Sequence, residues 1–351
     1  MKWRSFEETI TMRFHVGLVG GGNITETHAR AVQAIPEAEL VAVYGVNSNK
    51  VARIAEQFGG KAYSDYQEFL AHRPMEVVAI GSPSGLHADH GIAAARRGIH
   101  VLTEKPLEIN SSRADAFIAE AGRAGVKLGV MFQDRVKPGI QQLRRLIDSG
   151  SVGKILYADA RVKWYRPPEY YSGSQWRGTI ALDGGGALIN QAVHTVDLLL
   201  YLLGDVMRVQ ARTGTRFHRI EAEDTALAIL EFHSGVLGTL QATTAAYPGY
   251  PRRVEITGSE GTVILEHDRI IAADLRNPPS GFVLGSESDR NLSASSATVS
   301  DFRGHQALFE DFFHAIEYNS EPVCSGREGR RSVALMDAIY RAANSGSSIQ
   351  I

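Results

Sequence analysis

The first part of the chain alternates short apolar segments with amphipathic ones. Apolar segments rich in β-branched residues predict strands at residues 14–19, 39–44, 76–81, 100–103 and 127–132. Helical patterns fill the intervals, and several of them end in glycine, as helices often do. Strands that lack internal polar alternation and are separated by helices are typical of a parallel sheet covered on both faces. The pattern therefore predicts a doubly wound α/β domain over residues 1–133.

The pattern changes in the second part, from residue 134 to residue 351. Residues 225–243 read as two strands joined at His233-Ser234-Gly235, and a second hairpin pattern turns at residues 258–261. Long strands joined by tight turns indicate an antiparallel sheet, so we expect a separate α+β domain. Residues 277–300 have a biased, serine-rich composition and predict a mobile surface loop.

One apolar segment, residues 184–204, carries an ordered set of polar side chains. Its hydrophobic residues predict a buried helix with almost no solvent-exposed face. The polar residues within it are Asn190, His194, Asp197 and Tyr201. Their intervals of four, three and four bring them onto one stripe of an α-helix. Hydrogen-bonding groups on so apolar a helix need partners, so the stripe is a candidate site.

A glycine-rich turn follows the first predicted strand. Gly20 and Gly22 are followed by Thr25, in the pattern G-x-G-x-x-T, and the next helix begins near Ile24. Gly20 would make the tight turn, and Gly22 would let the backbone approach a pyrophosphate. Amide N–H groups at the helix N-terminus, around Asn23 and Ile24, would bind the phosphates. The strand–turn–helix context favours dinucleotide binding over a plain structural turn.

The end of the second strand bears on the choice of dinucleotide. An acidic residue there commonly binds the adenosine ribose of NAD, but the sequence after Tyr44 is Gly45-Val46-Asn47. Without a carboxylate, a 2′-phosphate meets no like charge, and Asn47 and Lys50 could donate to it. This favours NADP over NAD by a small margin. The alternative is that Asn47 simply caps the following helix and that either cofactor is accepted.

Polar residues also follow the strand at 76–81. Ser82, Ser84 and His87 lie at the predicted carboxyl edge of the sheet, where ligands bind in open α/β folds, so they are candidate cofactor contacts. The nearby pair of histidines, His87 and His90 with Asp89 between, is more typical of a helix N-terminus than of a metal site. Since no further histidine or cysteine cluster supports zinc, we predict no metal.

Composition narrows the class of protein. The chain has 351 residues, 44% of them hydrophobic and 22% charged, which fits two ordinary globular domains. Lys plus Arg number 37 and Asp plus Glu 39, a net charge of −2 that argues against nucleic-acid binding. A single cysteine, Cys324, fits a reducing compartment. The first residues do not resemble a secretory signal, and no apolar run is long enough to span a membrane, so we expect a cytoplasmic protein.

The strand at 100–103 ends in Thr103-Glu104-Lys105-Pro106. Two charged residues at the carboxyl end of a buried strand are unusual for packing, and a lysine there can donate to a substrate hydroxyl and relay protons. A solvated strand end is the equally weighted alternative when the segment is taken alone. Glu104 and Lys105 are therefore candidates that need further support.

That support comes from resemblance to a known family. The segments GLVGGGNITETHA, SPSGLHADH, GIHVLTEKPLEIN, GVMFQDR and DGGGALINQAVHTVDLLLYLLG, in this order, resemble the Gfo/Idh/MocA family of glucose–fructose oxidoreductase and inositol dehydrogenase. The resemblance implies a Rossmann domain followed by a domain with a large, mostly antiparallel sheet. It implies hydride transfer between NAD(P) and a hydroxyl or keto carbon of a sugar, cyclitol or nucleotide-sugar. It also implies a homodimer or homotetramer joined through that sheet.

The same resemblance implies roles for individual residues. Glu104 and Lys105 would contact the cofactor, Lys105 would also contact substrate, and the Lys105–Pro106 peptide is often cis in the family. Inositol-dehydrogenase-like members carry Asp-x-x-x-His where this chain has Asn190 and His194. His194 would be the general base for the hydroxyl proton, and Asn190 would hold the substrate or orient that base. Asp197 could fix the histidine tautomer. The change from Asp to Asn resembles the nucleotide-sugar oxidases of the family.

Further substrate contacts are expected from two segments. Arg135 follows the strand at 127–132, with Asp134 before it, and should face the same cleft. The aromatic-rich segment around residues 163–179 contributes Tyr165, Trp176 and Arg177, because aromatic rings stack on sugars and arginine binds hydroxyls, carboxylates or phosphates. The alternative is a surface loop whose aromatic side chains fill the interface with the sheet.

Two other functions remain open at this point. Some members of the resembled family hold NAD tightly and use transient oxidation and elimination, which gives a net glycosidase or lyase. A non-catalytic ligand sensor could also use the fold, but a sensor needs no base beside a nicotinamide. The presence of both Lys105 and His194 therefore favours an enzyme.

Overall fold

The structure is a computed structural model of the chain, and it describes residues 13–284 and 301–351. The predicted loop at 277–300 lies for the most part outside the described residues, as does most of the N-terminal segment that was compared with a secretory signal. Within the described ranges, no helix is long and apolar enough to cross a membrane.

The N-terminal part forms a parallel sheet with helices on both faces. Its strands are β1 (Phe14–Val19), β2 (Ala38–Tyr44), β3 (Lys61–Tyr63), β4 (Val77–Ile80), β5 (His100–Thr103) and β6 (Leu128–Val130). Its helices are α1 (Asn23–Gln33), α2 (Ser48–Phe58), α3 (Tyr66–Leu70), α4 (His87–Ala95) and α5 (Ser111–Ala124). The strand order β3-β2-β1-β4-β5-β6 confirms the doubly wound Rossmann arrangement. The sequence pattern missed β3 and α3, which are too short to show a period.

The C-terminal part is built on a larger sheet. Its strands are β7 (Ile155–Lys163), β8 (Val206–Gly214), β9 (Thr225–Phe232), β10 (Leu237–Thr243), β11 (Arg253–Gly258), β12 (Gly261–Glu266), β13 (Arg269–Leu275) and β14 (Ile349–Gln350). They are ordered β13-β12-β11-β7-β10-β9-β8-β14, and among these described pairs only β7 and β10 run parallel. The mostly antiparallel sheet and both predicted hairpins, β9–β10 and β11–β12, are confirmed.

Helices of the C-terminal part connect the two sheets. They are α6 (Pro138–Asp148), α7 (Pro168–Ser172), α8 (Val193–Leu203), α9 (Arg303–Glu317) and α10 (Gly326–Ser345). Helix α10 packs against β8 and α8. Helix α9 instead returns to the first domain, where Phe313 stacks on Phe14 with ring centroids 4.4 Å apart. The boundary between residues 133 and 134 stays a prediction, and α9 shows that the chain crosses back over it.

The buried segment at 184–204 is not one continuous α-helix, and this part of the prediction is wrong. Residues Ala187–Ala192 form a π-helical turn, and regular α-helix begins at Val193. The buried carboxylate of Glu223 binds the start of this turn, because it accepts the amide N–H groups of Gly186 at 3.1 Å and Leu188 at 2.8 Å. Single π turns within helices are frequent at functional sites. Asn190 lies in the π turn, and His194 lies in α8.

Candidate functional site

The glycine turn between β1 and α1 forms an open cradle. Gly20 has φ +132°, and a Cβ there would lie 2.8 Å from the carbonyl oxygen of Gly81, so only glycine fits. At Gly22, the residue before α1, no heavy atom of the described chain lies within 4 Å of a Cβ position. No side chain in the described ranges caps the first amides of α1, around Asn23 and Ile24. Open space facing a helix N-terminus fits the pyrophosphate of a dinucleotide.

The turn after β2 shows what Asn47 does in the protein itself. Its side chain accepts the backbone N–H of Lys50 at 3.1 Å and so caps helix α2. Gly45 lies close to the glycine turn, because a Cβ there would be 2.9 Å from Val51 Cγ1 and 3.2 Å from the carbonyl oxygen of Gly20. The capping geometry is the alternative that the sequence left open, and it leaves the choice between NAD and NADP undecided.

The turn after β4 holds Ser82, Ser84 and His87 at the carboxyl edge of the sheet. The ring of His87 is buried between two backbone carbonyl oxygens, with Nδ1 2.8 Å from that of Pro106 and Nε2 3.0 Å from that of Ser82. Both ring nitrogens therefore face backbone carbonyl oxygens of the protein, and a contact between His87 and the cofactor stays a prediction. His87 ties this turn to the turn after β5. The hydroxyl of Ser82 lies 3.0 Å from Nδ1 of His90.

The side chain of Glu104 binds two histidines of the protein. It is buried, and its carboxylate lies 3.0 Å from Nε2 of His28 in α1 and 3.2 Å from Nε2 of His305 in α9. Burial alone would raise the pKa of Glu104, but the two histidines outweigh it and hold the pKa well below its usual value. Since an ionised carboxylate only accepts, both histidines carry their proton on Nε2. The carboxylate therefore faces the protein interior, and a cofactor contact by another part of Glu104 stays a prediction.

These three side chains are also the group, among described residues, whose ligand atoms are close enough to surround a metal ion. Nε2 of each histidine already forms a hydrogen bond to the Glu104 carboxylate, and Nδ1 of both histidines is buried without a hydrogen bond to the described residues. Metal-binding histidines usually donate from the second nitrogen to a neighbouring acceptor. The arrangement is therefore that of a buried hydrogen-bonded triad, and the absence of a metal stays a prediction.

Lys105 projects towards the segment that carries Asn190. The Lys105–Pro106 peptide is cis, as the resemblance implied, and Nζ donates to the backbone carbonyl of Asn190 at 3.2 Å. Burial lowers the pKa of Lys105, while the negative charges of Glu104, Asp183 and Asp134 raise it in part. A lysine with a lowered pKa at the end of a strand can exchange a proton with a bound hydroxyl more readily than a solvated one.

Asn190 is held by a carboxylate that the sequence analysis missed. Its side-chain amide donates to Asp183, and Asp183 also accepts the backbone N–H of Gly178 at 2.7 Å. Burial raises the pKa of Asp183 to about 6. The oxygen of the Asn190 side chain accepts from Gln191 at 2.9 Å. Asp183 directly precedes the glycine run at 184–186, and that position was the signal that could have marked it.

His194 lies one turn further on, with 14% of its side chain exposed. Burial, helped by the positive charge of Lys105 and opposed by the negative charge of Asp134, lowers its pKa to about 3, so the imidazole is neutral at physiological pH. The ring of Phe132 is nearly perpendicular to the imidazole, with the ring centroids 6.0 Å apart. Nδ1 is buried and forms no hydrogen bond with the described residues, and the nearest carboxylate oxygen, on Asp134, is 3.8 Å away. A neutral, partly exposed imidazole can accept a proton.

Arg135 and Asp197, two other residues of the expected site, bind each other. Arg135 is 1% exposed and binds Asp197 through Nε at 2.8 Å and Nη2 at 2.6 Å, with Nη1 3.0 Å from Glu328. The prediction that Arg135 contacts substrate is therefore wrong, because a buried guanidinium with two carboxylate partners has no surface to offer. Asp197 likewise binds Arg135 and does not fix the tautomer of His194. Tyr201 packs with its ring centroid 5.0 Å from the guanidinium carbon of Arg135.

The aromatic segment separates into two groups. The guanidinium of Arg177 stacks over Tyr170 at 4.2 Å and lies 5.5 Å from the ring of Trp176. The hydroxyl of Tyr170 accepts from Gln191 at 3.0 Å, which links this group to Asn190. Tyr165 instead packs with Tyr247 and Phe217, at centroid distances of 5.2 Å and 6.5 Å.

Sequence reasoning did not choose Tyr170, Gln191 or Arg166 as site residues in this region. Arg166 is buried, donates to Gln191 at 2.7 Å, and places its guanidinium 5.6 Å from the ring of Tyr170. Its position in the sequence, between Tyr165 and Pro167, gave no sign that its side chain points inward.

Comparisons with known proteins agree with this architecture. Residues 14–132 match the oxidoreductase family with an NAD-binding Rossmann fold, and residues 140–264 match the GFO/IDH/MocA C-terminal domain. The chain belongs to the Gfo/Idh/MocA family of NAD-binding oxidoreductases. It is an enzyme of the class that contains sugar and inositol dehydrogenases and reductases.

Individual relatives are similar over nearly their whole length. The myo-inositol 2-dehydrogenase of Thermotoga maritima is 25% identical over 344 residues, which are 96% of this chain and 98% of the relative. The inositol 2-dehydrogenase of Rhizobium meliloti is 27% identical, over 97% and 100% of the two chains. The WlbA dehydrogenase from Bordetella pertussis, solved in complex with NADH and UDP-GlcNAcA, has a TM-score of 0.88 and 34% identity over 97% of this chain and 98% of its own.

Proposed function

We propose that the protein transfers hydride between a nicotinamide dinucleotide and a secondary hydroxyl or keto carbon of a sugar or cyclitol, with His194 as general acid and base. The observation that carries this proposal is a neutral, partly exposed imidazole four residues after Asn190, whose backbone carbonyl accepts a hydrogen bond from Nζ of Lys105. When it is bound, the nicotinamide supplies the hydride acceptor or donor. The chain's own residues then have to bind the hydroxyl and move its proton.

His194, Lys105 and Asn190 each have a separate role in binding the hydroxyl or moving its proton. Nε2 of His194 takes the proton from the hydroxyl as the carbon is oxidised and returns it in the reverse direction, which suits an imidazole that is neutral before reaction. Lys105 donates to the same oxygen and stabilises the negative charge that develops on it. Asn190 holds a neighbouring hydroxyl, and Asp183 fixes the orientation of the Asn190 amide. Asn190 cannot replace His194, because an amide does not accept a proton at neutral pH.

The cofactor is held by the glycine turn and the turns after β2, β4 and β5. Gly20, Gly22 and the amides of Asn23 and Ile24 bind the pyrophosphate. The absence of a carboxylate after β2 permits a 2′-phosphate, so the site accepts NADP as well as NAD and uses NADP somewhat better.

The substrate we propose is a sugar that carries a negatively charged group, as nucleotide-sugars do. Support comes from Arg177, whose guanidinium lies over Tyr170 and is linked through Gln191 to Asn190. Arginine stacked on an aromatic ring presents its N–H groups in a fixed plane, which suits a phosphate or carboxylate. The similarity to a dehydrogenase solved with UDP-GlcNAcA points to the same class. The relatives of this chain are named as dehydrogenases and reductases, so the alternative of a glycosidase or lyase is not favoured.

We further propose that two or four copies associate through the open face of the larger sheet. Leu227 and Ile229 in β9 and Leu237 in β10 point outward on this face and are 52%, 57% and 55% exposed. Exposed apolar side chains grouped on one sheet face are typical of an interface rather than of solvated surface. Thr239 pairs directly with Ile229 across the two strands, so the patch is continuous with polar groups that can bind at its rim.

The test is an absorbance assay of nicotinamide reduction with NAD and NADP in parallel. Substrates are free monosaccharides, inositols and UDP-sugars. We expect reduction with UDP-sugars, and we expect His194→Ala to lower kcat by about 10²–10⁴-fold while cofactor binding, measured by fluorescence, is retained. Arg177→Gln should raise KM for the UDP-sugar and leave KM for the cofactor unchanged. Wild-type activity in His194→Ala would show that the base is misassigned, and an uncharged sugar as the best substrate would contradict the proposed substrate class.

A further inference from the structure

The unused nitrogen of His194 faces a carboxylate from another element. Nδ1 is buried and forms no hydrogen bond with any described residue, and Oδ2 of Asp134 is 3.8 Å from it. Asp134 lies in the short helical turn Gln133–Val136 that follows β6, whereas His194 lies in α8. A shift of about 1 Å brings this pair to hydrogen-bond distance. Buried polar nitrogens without a partner are rare, so this one needs an explanation.

Asp134 is held as an anion by two cations from different parts of the chain. Nζ of Lys137 lies 2.7 Å from its carboxylate, and Arg252, which directly precedes β11, donates to the oxygen that faces His194. Burial alone would raise the pKa of Asp134, but the charges of Arg252 and Lys137 hold it well below its usual value. The same two cations also bind Asp268, so the carboxylates and cations form a closed network.

An ionised carboxylate can only accept a hydrogen bond. Of the two neutral tautomers of His194, the one with the proton on Nδ1 points an N–H dipole at Asp134, while the other points a lone pair at a negative charge. Lys105, Lys137 and Arg252 also act on the ring, and their positive charges oppose a second proton on it. The geometry therefore selects the neutral Nδ1–H form.

We propose that Asp134 is a positioning residue that holds His194 in the Nδ1–H tautomer and so leaves the lone pair of Nε2 as the base. This inference rests on the proposed function of His194. Asp134 is 5% exposed and acts through the imidazole. It also stabilises the imidazolium that forms when Nε2 accepts the hydroxyl proton. In serine proteases a carboxylate on the far nitrogen of the histidine has this task, and its change to an amide lowers kcat by about 10⁴-fold.

The first measurement is the tautomer of His194 in the wild-type protein. Long-range ¹H–¹⁵N correlation spectra of ¹⁵N-histidine-labelled protein distinguish Nδ1–H from Nε2–H imidazoles, and the signal of His194 among the 12 histidines is the one lost in His194→Gln. We expect the Nδ1–H form. An Nε2–H tautomer in the wild type overturns the proposal, and this result depends on no variant at Asp134.

The second measurement compares Asp134→Asn with Asp268→Asn. Both changes remove one carboxylate that binds Lys137 and Arg252, but only Asp134 faces His194. We expect Asp134→Asn to shift the tautomer towards Nε2–H and to lower kcat by about 10²–10⁴-fold with little change in KM for the cofactor. Asp268→Asn should keep the Nδ1–H tautomer and keep kcat within a few-fold of wild type.

The two proposals fail in different ways. If Asp134→Asn keeps both the Nδ1–H tautomer and the wild-type kcat while His194→Ala is inactive, the role of Asp134 is wrong and His194 remains the base. If Asp268→Asn changes the tautomer and kcat as much as Asp134→Asn, the effect belongs to the ion network and the specific role of Asp134 is wrong. If His194→Ala is fully active, the proposed function itself fails.

Discussion

Arg135, in the turn after β6, and Asp197, in helix α8, form a buried bidentate ion pair with N–O distances of 2.8 Å and 2.6 Å. The pair joins the edge of the Rossmann sheet to the helix that carries His194, three residues before Asp197. Burial raises the pKa of Asp197, while Arg135 lowers it in part. The helix is therefore fixed to the cofactor domain by two charges that have lost nearly all of their water.

The change Asp197→Asn tests how much this pair contributes to stability. It keeps the size of the side chain and leaves the buried guanidinium with only Glu328 as a carboxylate partner, and removal of one member of a buried pair costs about 3–5 kcal/mol. We expect a loss of this size in the free energy of unfolding, measured by urea denaturation. The control Glu328→Gln removes a carboxylate that is 35% exposed and should cost less than about 1 kcal/mol. Equal losses in the two variants would contradict the assignment.

The change Asn47→Asp tests the choice of cofactor. Aspartate caps a helix as well as asparagine does, so the bond to the N–H of Lys50 is kept while a negative charge is added beside the expected ribose. We expect kcat/KM with NADP to fall at least about tenfold, and kcat/KM with NAD to change little. Gly45 is a poorer place for the charge, because a Cβ there would lie 2.9 Å from Val51.

Asn47→Ser is the control for this experiment, because serine caps the helix without adding charge. The ratio of the two kcat/KM values should then stay near that of the wild type. An unchanged ratio in Asn47→Asp would show that the 2′ position of the ribose lies away from this turn.

The sequence predicted those features that depend on local pattern. Strands β1, β2, β4, β5 and β6 follow apolar runs, and the turn at Gly20 needs a conformation that only glycine adopts easily. Strand β3 was missed because three residues, none of them buried, show no period. The π turn at Ala187–Ala192 was missed because part of its stabilisation comes from Glu223, a residue far along the chain.

The direction of polar side chains at strand ends was harder to predict for the same reason. Glu104 and Arg135 follow strands β5 and β6 at the edge where ligands bind, and from the sequence both should face the cleft. Each turns inward because its partners come from distant positions, His305 for Glu104 and Asp197 for Arg135. Spacing along a single chain contains no information about such pairs, whereas the spacing of Asn190 and His194 is local and could be recognised.

Acid sensitivity follows from the buried histidines. Burial lowers the pKa of His28 from an ordinary value of 6.5 and lowers that of His194 to about 3. The unfolded chain therefore binds these protons more readily than the folded one. The stability that the neutral histidines contribute is complete above about pH 6.5 and is lost as the pH falls towards their folded-state values. We expect the free energy of unfolding to fall between pH 6.5 and pH 5, values that lie in this window.

The change His28→Gln tests how much the titration of His28 contributes to this pH dependence. Glutamine can still donate to Glu104 but does not titrate. We expect the slope of unfolding free energy against pH to decrease by up to about 1.4 kcal/mol per pH unit, the value for one proton. His314→Gln, which removes an exposed histidine from α9, should leave the slope close to that of the wild type. The idea fails if the slope in His28→Gln equals that of the wild type.

The exposed face of the larger sheet predicts how a charge there changes the oligomeric state. Ile229 is 57% exposed near the middle of β9, next to Leu227 on the same face. A charge at this position must lose its water if a second copy covers the sheet, and an unpaired buried charge is costly. We therefore expect Ile229→Asp to shift the molar mass measured by light scattering from that of a dimer or tetramer to that of the 38.2 kDa chain. Tyr318→Asp places the same charge on an exposed side chain just after α9 and should leave the oligomer intact. A wild-type protein that is monomeric at tens of micromolar, or an Ile229→Asp variant that stays oligomeric, would show that this face is not the interface.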